Sequence, residues 1–133
     1  MARACAAWAA MAWAALAVPG QGETEPQPPL WAYLAECSAV FEVLAQADGY
    51  AGTSDSQRAD ALTTAGLFLA EAEQEAAADG QADPQGAVAS VMGYLRERWQ
   101  NRSENLLSLP SNLKWIEHCG RLGRERGLLP LSN

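Results

Sequence analysis

The chain has 133 residues, 49% of them hydrophobic, and its 16 acidic side chains outnumber nine lysines and arginines, for a net charge of −7. This length suits a single domain, and the acidic balance argues against binding to nucleic acid or to anionic membrane surfaces. The chain has one histidine and three cysteines. Once Cys5 is removed with the signal peptide expected below, too few ligands remain for a zinc site, so we expect neither a metal nor a cofactor.

Residues 1–22 have the features of a secretory signal peptide. One basic residue, Arg3, precedes an uninterrupted apolar run from Ala4 to Val18, and small residues follow. The run is shorter than the roughly 20 residues that cross a membrane, which favours a cleaved signal over a membrane anchor. Cleavage is expected after Ala17 or, as a second choice, near Gly20–Gly22. We therefore expect a periplasmic or secreted protein that keeps no stable membrane anchor.

Residues 23–29 (ETEPQPP) contain three prolines in polar surroundings and predict an extended linker. The rest of the chain, residues 30–133, is expected to form one helical domain. Its first helix is predicted from Leu30 to about Ala47, and Asp48-Gly49 ends it. The apolar residues of this segment recur at alternating steps of four and three, as in an amphipathic helix: Leu30, Leu34, Cys37, Phe41 and Leu44.

A second helix is predicted from the residue after Ser54 to about Ala78. Ser54 and Gln57, three residues apart, fit a capping box. The face expected to point inward comprises Ala59, Leu62, Gly66 and Leu69. Glu71 and Glu75 repel each other one turn apart, and negative charge is unfavourable at a helix C-terminus. We therefore expect this end of the helix to fray.

Asp83-Pro84 predicts the start of a third helix, since aspartate is a good N-cap and proline suits the first helical position. This helix is expected to reach Leu106–Leu107 and to stop before Pro110. A fourth helix is predicted from Ser111, acting as N-cap, to Gly127. No segment alternates as a strand would, so the predicted fold is all-α, a small four-helix antiparallel bundle.

Two cysteines remain once the signal peptide has removed Cys5. In an exported protein an even pair predicts one disulfide, here between Cys37 in the first helix and Cys119 in the fourth. The alternative is two buried free thiols. A bridge across so long a loop stabilises the fold by about 4 kcal/mol in a chain-entropy treatment. Redox-active pairs lie close together in sequence, so we expect a structural role.

Arg121, Arg124 and Arg126 cluster at the end of the fourth helix, close to His118. We regard these four residues as candidates for binding an anion or an acidic partner. The alternative is that the arginines complement the helix dipole and pair with the acidic half of the chain. Twelve acids and one basic residue lie between Glu23 and Asp83.

No catalytic residue is expected, and we predict that the protein is not an enzyme. His118 and Cys119 point in different directions on a helix, which argues against a cysteine–histidine nucleophile. An enzyme would have to use carboxylates such as those of Glu36, Glu42 or Glu117. The expected role is therefore that of an exported, non-catalytic interaction or accessory factor whose partner is another protein.

Two alternatives to this role stay open. One is a module that binds a small ligand, an anion or a metal in the bundle interior or at the Arg121/Arg124 end. The other comes from a general plan that the chain shares with periplasmic acid-stress chaperones: a signal peptide, then a small helical domain with one long-range disulfide. The chain is similar to them in plan only, without a matching motif, so the similarity implies a chaperone-like role and transfers no residues.

Overall fold

The computed structural model describes residues 27–47 and 54–129. Within these residues the chain forms four α-helices, one short 3₁₀ turn and no strand. The helices are α1 (Leu30–Gln46), α2 (Asp55–Ala78), α3 (Pro84–Gln100) and α4 (Pro110–Arg126), and the 3₁₀ turn is Ser103–Asn105. The predicted all-α class and the four predicted helices are confirmed. The predicted signal peptide, the linker before Gln27 and the residues around Asp48-Gly49 lie outside the described residues.

Three helix ends lie where capping residues in the sequence predict them. The Ser54 hydroxyl accepts a hydrogen bond from the backbone N–H of Gln57 at 3.2 Å. The Asp83 carboxylate accepts one from the backbone N–H of Gly86 at 3.0 Å. Gly127 ends α4 in a left-handed conformation with φ of 71°, which glycine adopts without steric cost.

Two predicted boundaries are wrong. The predicted third helix continues to Leu106–Leu107, whereas α3 ends at Gln100 and the chain turns through the 3₁₀ segment. This turn allows Leu106, only 1% exposed, to enter the core. The predicted N-cap of the fourth helix is Ser111, whereas α4 begins at Pro110 and Leu109 precedes it without a side-chain cap. Proline fits this first position because its missing N–H would have no partner there.

The central element of the fold is α1. Every residue from Leu34 to Ala45 except Glu42 is buried, and α1 contacts each of the other three helices. Small side chains on α1, such as those of Ala35 and Ala39, allow its neighbours to approach closely. The buried Ser38 hydroxyl donates a hydrogen bond to the carbonyl oxygen of Ala65 on α2 at 2.8 Å, so its burial leaves no unsatisfied donor.

Two contacts at opposite ends show that α1 and α2 run antiparallel. The Trp31 indole N–H, near the start of α1, donates to the carboxylate of Asp79, just beyond the end of α2, at 3.2 Å. The Arg58 guanidinium, near the start of α2, donates to the carbonyl oxygen of Ala45 at 3.1 Å.

The predicted inward face of α2 is wrong for Ala59, Leu62 and Gly66, which are exposed, whereas Leu69 packs against the core. The face that packs against the core is formed instead by small residues and one phenylalanine: Ala61, Thr64, Ala65, Phe68, Ala72 and Ala76. Phe68 stacks on Phe41 of α1 with ring centroids 5.5 Å apart. Alanine along the rest of this face brings the α2 backbone close to α1, and leucine there would hold the two helices apart.

The fourth helix crosses from α1 to α2. Cys119 is bonded to Cys37 on α1, Gly123 is buried next to Phe68 on α2, and one turn later Arg126 contacts α2 again. A Cβ atom at Gly123 would lie 2.9 Å from Cγ of Leu129 and 3.1 Å from Cζ of Phe68. Glycine at this position therefore permits the close crossing.

We expect the double substitution Cys37→Ala/Cys119→Ala to lower the free energy of unfolding by about 4 kcal/mol, because the lost bridge closes a long loop in the unfolded chain. Urea denaturation of wild type and variant, each with and without reductant, measures the difference. Reductant should lower the stability of the wild type only. Alkylation of both thiols in the native protein without reductant would contradict the prediction.

Gly123→Ala should destabilise the fold by about 1 kcal/mol or more, because the added methyl group must displace Leu129 or Phe68. Gly120→Ala is the matched control on the same helix. A Cβ there meets only Nη1 of Arg124, at 3.5 Å, so the control should gain up to about 1 kcal/mol from helix propensity. Thermal unfolding of both variants should shift in opposite directions, and a shift in the same direction would contradict the packing argument.

Candidate functional site

The predicted disulfide between Cys37 and Cys119 is confirmed. The two Cα atoms lie 5.4 Å apart, 82 residues apart in sequence, and both side chains are fully buried. A bridge without solvent access is protected from exchange with external thiols. Its role in the fold is therefore to fix α4 against the central helix.

Arg126 lies at the α2–α4 crossing and binds two carboxylates there. Its Nε donates to Glu71 at 2.7 Å and its Nη2 to Glu75 at 2.6 Å. The hydrogen bond that Arg126 donates to Glu71 raises the pKa of Arg126 and outweighs the opposing effect of burial. This pairing offsets the repulsion between Glu71 and Glu75, and α2 continues as a helix to Ala78. The helix thus reaches its predicted end, and the cation that opposes fraying there comes from α4.

The other predicted cations of the cluster have different surroundings. Arg121 and Arg124 are exposed on α4, and Nη1 of Arg124 lies over Gly120. Arg126 takes part in an internal contact, so the predicted set of four does not form one surface. His118 belongs to a second group of side chains, nearer the start of α4.

That second group is an aromatic groove lined by Tyr33, Lys114, Trp115 and His118, with a volume of about 270 Å³. The ring centroid of Tyr33 lies 6.1 Å from that of Trp115 and 5.9 Å from that of His118. Trp115 and His118 also meet edge to face at 5.9 Å. Apolar atoms form most of the lining, and the Lys114 ammonium supplies a positive charge at its edge.

The disulfide sets the geometry of the aromatic groove. Tyr33 lies about one turn before Cys37 on α1, and Trp115 lies about one turn before Cys119 on α4. The covalent bond therefore brings these rings together. Behind Trp115, the Trp99 ring of α3 packs edge to face at 6.1 Å.

Glu36 is a buried carboxylate beneath this region, only 8% exposed. The Trp99 indole N–H donates to it at 3.0 Å, and the Arg98 guanidinium lies 3.5 Å from the same oxygen. The partners on α3 satisfy the charge, as burial requires. This contact has no signal in the sequence, because no local pattern connects residues 63 positions apart.

The other carboxylates considered for acid–base chemistry have separate surroundings. Glu42 forms a two-point pair with Arg96, at 2.8 and 3.0 Å, and this hydrogen bond is the main cause that raises the pKa of Arg96. Glu117 is exposed on α4. The three carboxylates Glu36, Glu42 and Glu117 thus do not converge on the aromatic groove, whose lining includes none of them.

Residues 27–47 and 54–129 lack two further features. In this part of the chain, no three or more histidine, cysteine, aspartate or glutamate side chains form a group that could hold a metal ion. No helix there combines the length and the apolar composition needed to cross a membrane.

Comparison with known proteins finds no matching protein family, no similar curated protein and no similar solved structure.

We expect Arg126→Gln to lower the free energy of unfolding by about 1 kcal/mol, because two partly buried glutamates lose their cation and repel each other. Arg124→Gln, two residues away on the same helix and exposed, is the matched control and should change stability little. Urea denaturation at low and high salt measures both variants. The loss for Arg126→Gln should shrink in high salt, and equal losses in the two variants would contradict the assignment.

Proposed function

We propose that the protein is an exported, non-catalytic factor that binds another protein, with the aromatic groove as its binding surface. The observation that carries the proposal is the meeting of a tyrosine, a tryptophan and a histidine around an open, mainly apolar groove. Tyrosine and tryptophan dominate the energetics of protein interfaces because they bury a large area at low entropic cost. Lys114 at the edge adds a charge that can select an acidic partner.

The shape of the groove favours a protein partner over a small ligand. Sites for small molecules are usually enclosed and have volumes of roughly 300–1,000 Å³. The aromatic groove is shallower and slightly smaller, and it suits a peptide segment or a side chain that protrudes from another protein. The anion-binding alternative loses support because Arg126 already binds Glu71 and Glu75.

Export is the second half of the proposal. The signal-peptide pattern of residues 1–22 supports it, and so does the disulfide, since such bonds persist mainly in oxidising compartments. The proposed mature chain begins after Ala17 or near Gly20–Gly22 and keeps two cysteines. The chaperone-like alternative shares this location and differs in its target, because a chaperone would bind many unfolded chains rather than one folded partner.

We expect the mature protein, isolated from the native host, to lack its first 17 to 22 residues and to contain one disulfide. Intact-mass measurement before and after reduction and alkylation tests both points in one sample. Recovery of the full-length chain in the cytosol with free thiols would contradict export.

Lys114→Glu should abolish capture of the partner from a native periplasmic extract, because it places a negative charge beside the groove. Arg124→Glu makes the same charge change elsewhere on α4 and should still capture the partner. Mass spectrometry of the retained proteins, with circular dichroism as the folding control, measures the contrast. Equal retention by the two variants, or no protein enriched by the wild type, would refute the proposed surface.

A further inference from the structure

We propose that the acidic segment Glu23–Pro26 of the same chain, which ends in a proline, occupies the aromatic groove and covers it until a binding partner displaces it. The displacement step rests on the function proposed above, whereas docking of the segment needs no partner. The inference names an occupant for the groove and thereby a way to regulate it.

The described end of the linker lies at the groove. Gln27 is the first described residue, and its side-chain oxygen accepts a hydrogen bond from the Tyr33 hydroxyl at 3.2 Å. Tyr33 itself lines the aromatic groove. The residues directly before Gln27 therefore continue from a point that already touches the groove.

The distances are within the reach of four residues. An extended chain spans at most about 3.3–3.6 Å per residue, so residues 23–26 reach roughly 13 Å. The centroids of Trp115 and His118 lie 6.1 and 5.9 Å from that of Tyr33. A segment that starts beside Tyr33 can thus cross both remaining rings.

The chemistry of the segment matches that of the groove. Grooves lined by aromatic side chains bind proline-rich chains, because the extended polyproline conformation is already formed and loses little entropy on binding. Pro26 supplies such a ring within the segment, and Pro28 and Pro29 continue the pattern in the exposed linker.

The charges are also complementary. Glu23 and Glu25 are negative, and Lys114 contributes its ammonium to the groove. Arg121 lies seven residues further along α4, on the same face as Lys114 and His118. The segment, with the sequence Glu-Thr-Glu-Pro, can therefore place the Pro26 ring on the aromatic side chains and its carboxylates towards this basic edge.

Lys114 is the only lysine of the chain, which permits a direct test. A carbodiimide joins a carboxylate to an amine only where the two are in contact, with loss of one water. After treatment of the purified mature protein, proteolysis and mass spectrometry should identify an amide between Lys114 and Glu25 or Glu23. Glu117→Gln removes the competing carboxylate on the next turn of α4, and in that variant the product should persist.

Substitution within the segment provides the matched controls. Glu23→Gln/Glu25→Gln should eliminate the product, and Pro26→Gly should reduce its yield severalfold by loosening the segment. Neither change should alter the thermal unfolding of the helices. Both should increase partner capture if the segment covers the surface used by the partner.

Equal mixtures of ¹⁵N-labelled and unlabelled protein identify the source of the segment. If both peptides of every cross-linked pair are labelled or both are unlabelled, the segment docks within its own chain. Mixed masses would instead assign the segment to a second copy and overturn the proposal, as would a Glu117→Gln variant in which Lys114 joins no residue of the segment. Because the reaction requires no partner, its failure is distinguishable from failure of the Lys114→Glu capture experiment.

Discussion

The bond between Cys37 and Cys119 is the constraint on which the rest of the structure depends. It joins α1, which is buried on nearly all sides, to α4, which crosses from α1 to α2. Tyr33 precedes one cysteine by four residues, and Trp115 precedes the other by four, so the same bond assembles the aromatic groove. Stability and the proposed binding surface are therefore coupled, and loss of the bridge should disturb both.

The uneven charge of the chain is used inside the fold. The acidic half supplies Glu36, Glu42, Glu71 and Glu75, and the basic half supplies their partners Arg96, Arg98 and Arg126. These contacts connect α1 to α3 and α2 to α4. Among the described residues 27–47 and 54–129, three cations that form none of these ion pairs lie together on α4: Lys114, Arg121 and Arg124. Of these, Lys114 lines the groove and Arg121 shares its helix face, whereas Arg124 lies elsewhere on α4.

The features that the sequence predicted correctly depend on local or countable signals. Ser54 and Asp83 cap helices through bonds three residues away, Gly127 adopts a backbone conformation that suits glycine, and two remaining cysteines allow only one pairing. Features that depend on tertiary packing were missed. Leu62 is more hydrophobic than Ala61, yet Ala61 faces α1 because the close approach of two helices selects for small volume. Likewise, the fraying expected from Glu71 and Glu75 ignores a cation 51 residues further along the chain.

The aromatic groove, too, depends on tertiary packing and could not be predicted from local sequence patterns. Trp115, taken alone, fits a core position and His118 a solvent-facing one. The two are neighbours on α4, three residues apart, and only the crossing of α1 and α4 adds Tyr33 and makes a groove of them. Such a surface carries a risk, because exposed apolar patches promote non-specific association. Docking of the adjacent segment proposed above would reduce that risk at little entropic cost, because proline has little backbone freedom to lose and a segment of the same chain has a high effective concentration at the groove. A partner that binds there must therefore make contacts that the segment cannot, and the basic side chains of α4 beyond Lys114 are where those contacts would lie.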